Sequence, residues 1–159
     1  MRRRRFGLGV ISDTHGLLRP EAVEALRGSD MIVHAGDIGS PEVLRGLETI
    51  APVVAVRGNN DREPWAKDLP LSDSFELGGA SIYVLHDVNE LDLDPRVAGF
   101  SVVIAGHSHQ PRSEERSGVL FFNPGSAGPR RFRLPISLGH IVIEGSLVTG
   151  HLQTLEIRA

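Results

Sequence analysis

V-V-I-A-G-H-S-H, Val102 to His109, is the stretch from which the fold is read. A short β-branched run stops at Gly106, and two histidines follow with one small residue between them. The run is too short to span a membrane and has the composition of a fully buried strand, so His107 and His109 stand just past a strand's carboxyl end. Residues two apart in extended chain project to one side, and two imidazoles aimed into one space suggest a metal. Alone, the pair reads equally well as one packed and one solvated histidine. What decides the matter is that the pattern, an apolar run and then a polar group, recurs along the chain.

Phe6 to Ser12 reads as the first such strand and ends in Asp13-Thr14-His15-Gly16, again with ligand types at i and i+2. Pro20 to Gly28 opens on proline and closes on glycine, the punctuation of a short surface helix. Met31 to Ala35 is a second strand, stopped by Gly36-Asp37. Ser40-Pro41 then caps and opens a second helix to about Ile50, with Val43, Leu44 and Leu47 at helical spacing. Pro52 to Val56 is the third strand, closed by Arg57-Gly58-Asn59-Asn60-Asp61. Strand, helix, strand, helix, strand implies parallel pairing with right-handed crossovers. Open α/β sheets bind ligands beyond the carboxyl ends of their strands, so Asp13, His15, Asp37 and Asn59 are expected along one edge.

From residue 62 onward the texture changes. Arg62 to Pro70 is loop around Trp65, and Ser72 to Leu77 and Ser81 to Leu85 flank Gly78-Gly79, a two-residue hairpin signal; the second of these strands stops at His86-Asp87. Asn89 to Gly99 is an acidic loop or short helix. Arg112 to Arg116 with Val119 to Phe122 reads as a hairpin before Asn123-Pro124-Gly125-Ser126, and Ile136 to Ile143 with Leu147 to Leu155 as two antiparallel strands. Two or three helices cannot cover both faces of a largely parallel sheet. The expected fold is therefore α/β, a four-layer α/β/β/α sandwich of two facing mixed sheets with helices outside.

At 159 residues the chain suits one domain, 1–159, with the basic residues 1–5 as a frayed end. It has no cysteine, which excludes disulfides and thiolate metal sites and favours hydrolytic over redox chemistry. The apolar stretch after the basic start breaks at Ser12 and Asp13 before it reaches signal-peptide length, so a soluble, cytoplasmic protein without a membrane partner is expected. A net charge of −3 is opposite to the footprint of a dedicated nucleic-acid surface. Homo-oligomers are left open.

Asp13, His15, Asp37, Asn59, His86, His107 and His109 suffice for two divalent ions if one carboxylate bridges. Oxygen and nitrogen donors without sulfur suit manganese, the first expectation, or zinc, iron or nickel, better than calcium. Gly16, Gly36, Gly58 and Gly106 flank these ligands, where a missing Cβ permits sharp turns and close approach.

D-x-H at Asp13 and His15, G-D at Asp37, G-N-x-D at Asn59 and Asp61, His86 after a strand, and G-H-x-H at His107 and His109 together resemble the calcineurin-like metallophosphoesterase signature. All five blocks stand in the family's order between about residues 6 and 127. The size and the N-P-G-S loop resemble its small bacterial and archaeal phosphodiesterase branch. The resemblance implies Asp13, His15, Asp37 and His109 on one metal, and Asp37 as bridge with Asn59, His86 and His107 on the other. The ions would lie roughly 3.5 to 4 Å apart about a water or hydroxide.

Physically, two cations offset the charge by which a diester repels hydroxide, and metal binding lowers a water's pKa from 15.7 to about 7. Hydrolysis by in-line attack of a metal-bridging hydroxide on a small phosphodiester is the expected reaction. Where many members of the family read G-N-H-D, with a histidine that helps protonate the leaving oxygen, this chain has Asn60. An amide orients phosphate but delivers no proton. That departure favours diesters with good leaving groups over monoesters, with Asn59, Asn60 and Asp61 as the catalytic group and Asp61 near a proton-carrying water.

Arg130, Arg131 and Arg133 could meet substrate phosphate, Arg130 first, although a solvated basic turn is an equal reading. His34 reads as a packed or supporting histidine, and Trp65 as cover for apolar surface more than a stacking platform. His140 and His151 lie away from the ligand edge. The alternatives are a phosphomonoesterase or a non-catalytic protein-binding scaffold on the same fold, as in the retromer subunit that resembles these enzymes. A scaffold has no need of the full ligand set, and a nuclease is disfavoured by the acidic balance.

Overall fold

The computed structural model describes residues 4–158. The opening units form as their punctuation dictates: β1 (Arg5–Ile11), α1 (Pro20–Leu26), β2 (Met31–His34), α2 (Pro41–Glu48) and β3 (Val53–Ala55). β1 pairs β2 and β2 pairs β3 in parallel, with Leu8 opposite Met31 and Ile32 opposite Val53. β4 (Ser72–Leu77) and β5 (Ala80–Leu85) make the hairpin on Gly78-Gly79. β6 (Val102–Ile104), β7 (Arg112–Arg116), β8 (Val119–Asn123), β9 (Ser137–Glu144) and β10 (Leu147–Thr154) follow.

The strands sort into two mixed sheets of five, ordered β10-β9-β1-β2-β3 and β4-β5-β6-β8-β7. They face each other across Leu8, Val10, Val33 and Ile141 on one side and Ile82, Val84, Ile104 and Phe122 on the other, all buried. Each such side chain removed from water contributes about 1.5–3 kcal/mol. On the outer face of the first sheet, Leu26 of α1 and Val43 and Leu47 of α2 pack against Ile11 and Ile32. Gly9 makes this possible: a Cβ there would lie 2.6 Å from Leu26 Cδ2.

The sandwich is thus the expected one, with its fourth layer built differently from its first. On the outer face of the second sheet, Leu85, Val103, Ala105 and Val119 are covered by Leu91. Tyr83 of that face meets Phe100 at 5.2 Å between ring centroids. The covering segment holds one 3-10 turn, Val88–Glu90, and no α-helix. Its acidic residues alternate with Leu91 and Leu93, and Pro95 interrupts, so no helical apolar stripe is available.

Three smaller expectations are corrected. Ser40 sits before α2 with extended backbone, but its hydroxyl makes no capping bond. Arg5 is the first residue of β1, paired with Glu144, and Arg4 lies over the Phe6 ring at 4.6 Å, so these two belong to the fold and not to a frayed end. The rest of that expectation, residues 1–3, lies outside the described residues. Arg62 to Pro70 contains a 3-10 turn at Pro64–Ala66. Among the described residues no helix is long and apolar enough to cross a membrane.

Candidate metal centre

Parallel pairing brings the carboxyl ends of β1, β2 and β3 to one edge, and the facing sheet presents the ends of β5 and β6 to the same edge. The loops beyond them are stitched by backbone bonds: Asp13 N donates to Gly36 O at 2.9 Å, His15 N to Asp37 O at 3.0 Å, and Gly106 N to His86 O at 2.9 Å. Asp13, His15, Asp37, His107 and His109 all adopt left-handed backbone, with φ of 56°, 47°, 56°, 69° and 63°. Residues with a Cβ avoid this region, and such strain gathers where a side chain must be aimed against the chain's preference.

Two buried groups of potential ligands result, each with one donor atom per residue within 4.8 Å of the others: Asp13, His15 and His109, and Asp13, Asp37 and His86. Asp13 Oδ1 lies 3.4 Å from His109 Nε2 and 3.9 Å from His86 Nε2. Asp37 Oδ2 lies between two imidazoles, 3.3 Å from His86 Nε2 and 3.8 Å from His15 Nε2. His107 Nδ1 closes the second group, 3.2 Å from Asn59 Oδ1 and 3.3 Å from His86 Nε2. All seven ligand-type residues of the sequence therefore meet at one edge. Asp13 and Asp37, not Asp37 alone, stand between the two halves.

The donor set fits cations. Asp13 Oδ1, His15 Nε2 and His109 Nδ1 are buried without a hydrogen-bond partner, and a fold does not leave such atoms unsatisfied without a reason. His86 Nδ1 donates to Ala35 O at 2.7 Å, which turns Nε2 toward the cluster as the atom that would meet a metal once it gives up its proton. Burial works against charge on His86, but the Asp37 hydrogen bond and the Asp13 charge outweigh it and raise the pKa to about 9. Burial likewise opposes ionisation of Asp37, yet His86 and the Asn60 backbone hold its carboxyl far below the usual range. Asp13 is held low, against its own burial, by His109 and Ser12. Proton-linked pairs of this kind are what a metal ion displaces.

Close approach is built into the glycines. A Cβ on Gly106 would fall on Ser12 Oγ and within 2.6 Å of Asp13 Oδ2, and one on Gly58 would overlap Asp37. Gly36 faces the His86 ring in the same way, whereas Gly16 serves only a left-handed turn, with nothing near its missing Cβ.

His34, read from the sequence as a packed or supporting histidine, lies behind the site. His34 Nδ1 accepts from Gly36 N at 3.1 Å, so its Nε2–H donates to Thr14 Oγ1 at 3.0 Å, and Thr14 passes the bond to Ile38 O at 2.8 Å. Full burial keeps this imidazole neutral, its pKa lowered to about 4. The N-P-G-S loop closes on the same place: Ser126 Oγ donates to Asp13 O at 3.0 Å, and Asn123 Nδ2 to Gly106 O at 2.9 Å. Asp87 Oδ2 stands 3.8 Å from His107 Nε2.

Two expected catalytic residues hold other positions. Asp61 is 4% exposed and accepts from the backbone N–H groups of Ile38, Gly39 and Gly58 at 2.9–3.2 Å. Both its oxygens are occupied, which makes it a brace between the β2 and β3 loops. Asn60 turns inward onto Asp37 through its backbone and its side chain. Arg130 is exposed on the turn after Gly128, with Arg131 and Arg133. Trp65 packs against the helix-side core, as cover. His140 pairs with Gln153 at 2.9 Å, far along the first sheet.

A family model for the calcineurin-like phosphoesterase superfamily domain matches residues 6–146. A protein named "Probable metallophosphoesterase" from Methanothermobacter thermautotrophicus is 40% identical over 131 residues, 75% of this chain and 76% of that protein. A phosphodiesterase of Methanocaldococcus jannaschii is 31% identical over 136 residues, 74% of this chain and 82% of that one. Among solved structures, vacuolar protein sorting 29 from Cryptosporidium parvum superposes with a TM-score of 0.76 over 96% of this chain and 99% of its own, at 19% identity. That last likeness is one of fold.

Proposed function

The chain belongs to the calcineurin-like phosphoesterase superfamily, and from that premise we propose that it is a binuclear metal-dependent phosphodiesterase acting on a small diester. The observation that carries the proposal is Asp13, a buried carboxylate common to two three-residue ligand groups, with an oxygen that no hydrogen bond satisfies. When bound, two divalent ions, manganese first, would bring positive charge to the phosphoryl oxygens and lower the pKa of water from 15.7 to about 7.

The chain's own residues supply the rest. Asp13, His15 and His109 would hold one ion, and Asn59, His86 and His107 the other, with Asp13 also within reach of His86 at 3.9 Å. Asp37 is shared, its Oδ2 within 3.8 Å of imidazole nitrogens from both sides. Asn60 keeps that carboxylate aligned, and Asp61 keeps the two loops in register. Arg130 meets a substrate phosphate oxygen from the rim. The leaving oxygen finds no imidazole at position 60, which favours diesters whose leaving group departs without a proton. A kinship with a phosphodiesterase of Methanocaldococcus jannaschii supports the same preference. A purely protein-binding role gives the buried orphan atoms nothing to do.

Metal analysis of the purified protein, coupled to a manganese-dependent assay on an aryl phosphodiester and the matching monoester, tests this. Two ions per chain and faster diester turnover are expected. A chain that takes up no divalent ion overturns the metal centre, and equal or faster monoester turnover overturns the diester preference.

A further inference from the structure

A depression of about 260 Å³ opens on the outward face of the second sheet, beside the candidate centre. Its floor is Val103, Ala105 and Phe121, and its rim includes Asn89, Ser108 and Gln110. The loops that carry this rim also carry the ligands: Asn89 stands three residues after His86, and Ser108 and Gln110 alternate with His107 and His109. We propose that this depression takes the organic ester group of the substrate, and that the group is a single planar ring with a hydrogen-bonding edge, of the pyrimidine-base class. The proposal rests on the diesterase reading and deepens it.

Elsewhere this sheet face is roofed by Leu91 and Phe100, but beside Ala105 the roof stops and a space remains. The opening is smaller than the roughly 300–1,000 Å³ of pockets that enclose drug-sized ligands, and it has room for a single ring. An apolar floor with a phenyl group suits a flat partner, which would lie on Phe121 beside or in place of the Arg116 guanidinium now 4.1 Å from the ring centroid.

The rim is set in advance. Ser108 Oγ accepts from Gln110 N at 3.2 Å and from Asn123 Nδ2 at 3.1 Å, which fixes the loop's shape. The side-chain amides of Asn89 and Gln110 are exposed, and each offers a donor and an acceptor to ring heteroatoms. Arg112 and Arg116 share the one rim carboxylate, Glu114, so the rim carries one positive charge beyond its partner.

The test holds the leaving group constant. Two 4-nitrophenyl phosphodiesters are compared, one with methyl and one with thymidine 5′-yl as the second ester group. The thymidylyl diester should have a kcat/KM about tenfold or more above the methyl diester. Ala105→Leu, which fills the floor, and Phe121→Leu should each bring that ratio to within about twofold of unity; because it is a ratio, any change in metal content cancels. Independently, thymidine titrated into the metal-free protein should shift the NMR signals of the Val103 and Ala105 methyls, and should not shift the floor of a folded Ala105→Leu variant. A wild-type ratio near unity with the methyl diester still hydrolysed overturns the pocket and leaves the diesterase standing. Thymidine shifts at the floor with neither diester hydrolysed overturn the diesterase and keep the ring site. Shifts confined to other residues overturn the ring site.

Discussion

Asn60 grips Asp37 at both carboxylate oxygens, its backbone N–H donating to Oδ1 at 2.9 Å and its side-chain amide to Oδ2 at 3.0 Å. A carboxylate held twice by one residue has a single orientation, and in it Oδ2 falls between His15 and His86. The amide at position 60 is therefore an alignment device. It holds the Asp37 carboxylate in place without supplying a proton of its own.

Removing that grip should loosen metal binding without unfolding the protein. Asn60→Ala keeps the backbone bond and loses the side-chain one, and partners of this kind are worth about 10- to 100-fold in metal affinity. Titration of the metal-free variant with Mn²⁺ or Zn²⁺ by calorimetry measures it. Affinity equal to wild type would show that the amide contributes nothing to the centre.

Asp37→Asn should have the larger effect. It removes the anion that lies between His15 and His86 while keeping the shape, so bound metal should fall below two ions per chain and diesterase activity should be abolished. Elemental analysis beside the assay separates the two losses. A variant that retained both ions and the full rate would remove Asp37 from the centre.

The ligand edge was legible in the chain because each apolar run ends on a polar group, which marks strand ends whatever the rest does. Asp13, His15, Asp37, Asn59, His86, His107 and His109 were reachable in that way. Asp61 was not, since a carboxylate after G-N reads as a proton carrier until three backbone N–H groups are seen to occupy it. Nor was the left-handed backbone of five candidate ligand residues, which depends on contacts such as Ser12 Oγ against Gly106 and leaves no mark on composition. The incomplete roof over the outer face of the second sheet was hidden for another reason. Whether residues 89–99 cover it as helix or loop turns on tertiary contacts of Leu91 and Phe100, not on local propensity.

Stability without metal should fall as the solution becomes alkaline. His86 has an ordinary pKa near 6.5 when unfolded and about 9 in the fold. The protonated ring's attraction to Asp13 and Asp37 is thus fully present below pH 6.5 and lost as pH rises through about 9. Urea unfolding of the chelated protein at intervals across this window should show the decline, at most a few kcal/mol. His86→Gln should flatten the curve. Saturating metal, which needs the ring neutral, should reverse its slope.

His34 acts in the opposite direction. It is buried and neutral, with a pKa of about 4 in the fold against 6.5 outside it. Its contribution is present above pH 6.5 and is lost as pH falls toward 4, because the unfolded chain takes up the proton first. His34→Phe should abolish that acid limb. It should also cost about 1–3 kcal/mol in urea unfolding at pH 7, because the Gly36 N–H and the Thr14 hydroxyl each lose a buried partner.

Gly106→Ala tests whether the two sheets meet as closely as the centre requires. Just past β6, Gly106 lies so near the end of β1 that an added methyl would fall on the Ser12 hydroxyl, with Asp13 Oδ2 2.6 Å away. Neither neighbour can retreat. Ser12 Oγ donates to Asp13 Oδ2 at 2.7 Å, and His107 N donates to the same oxygen at 3.1 Å, so displacing one atom displaces the ligand loop of the other sheet. Overpacking of this sort costs about 1–3 kcal/mol, which a fold of this size survives. The damage should be concentrated at the centre: Asp13 and His107 move apart, and divalent-ion affinity falls about 100-fold or more, beyond the loss from Asn60→Ala. Circular dichroism should report a folded protein and calorimetric titration a damaged site. Wild-type affinity in a folded Gly106→Ala variant would mean that the edge where β1 and β6 converge is looser than the distances around Asp13 require.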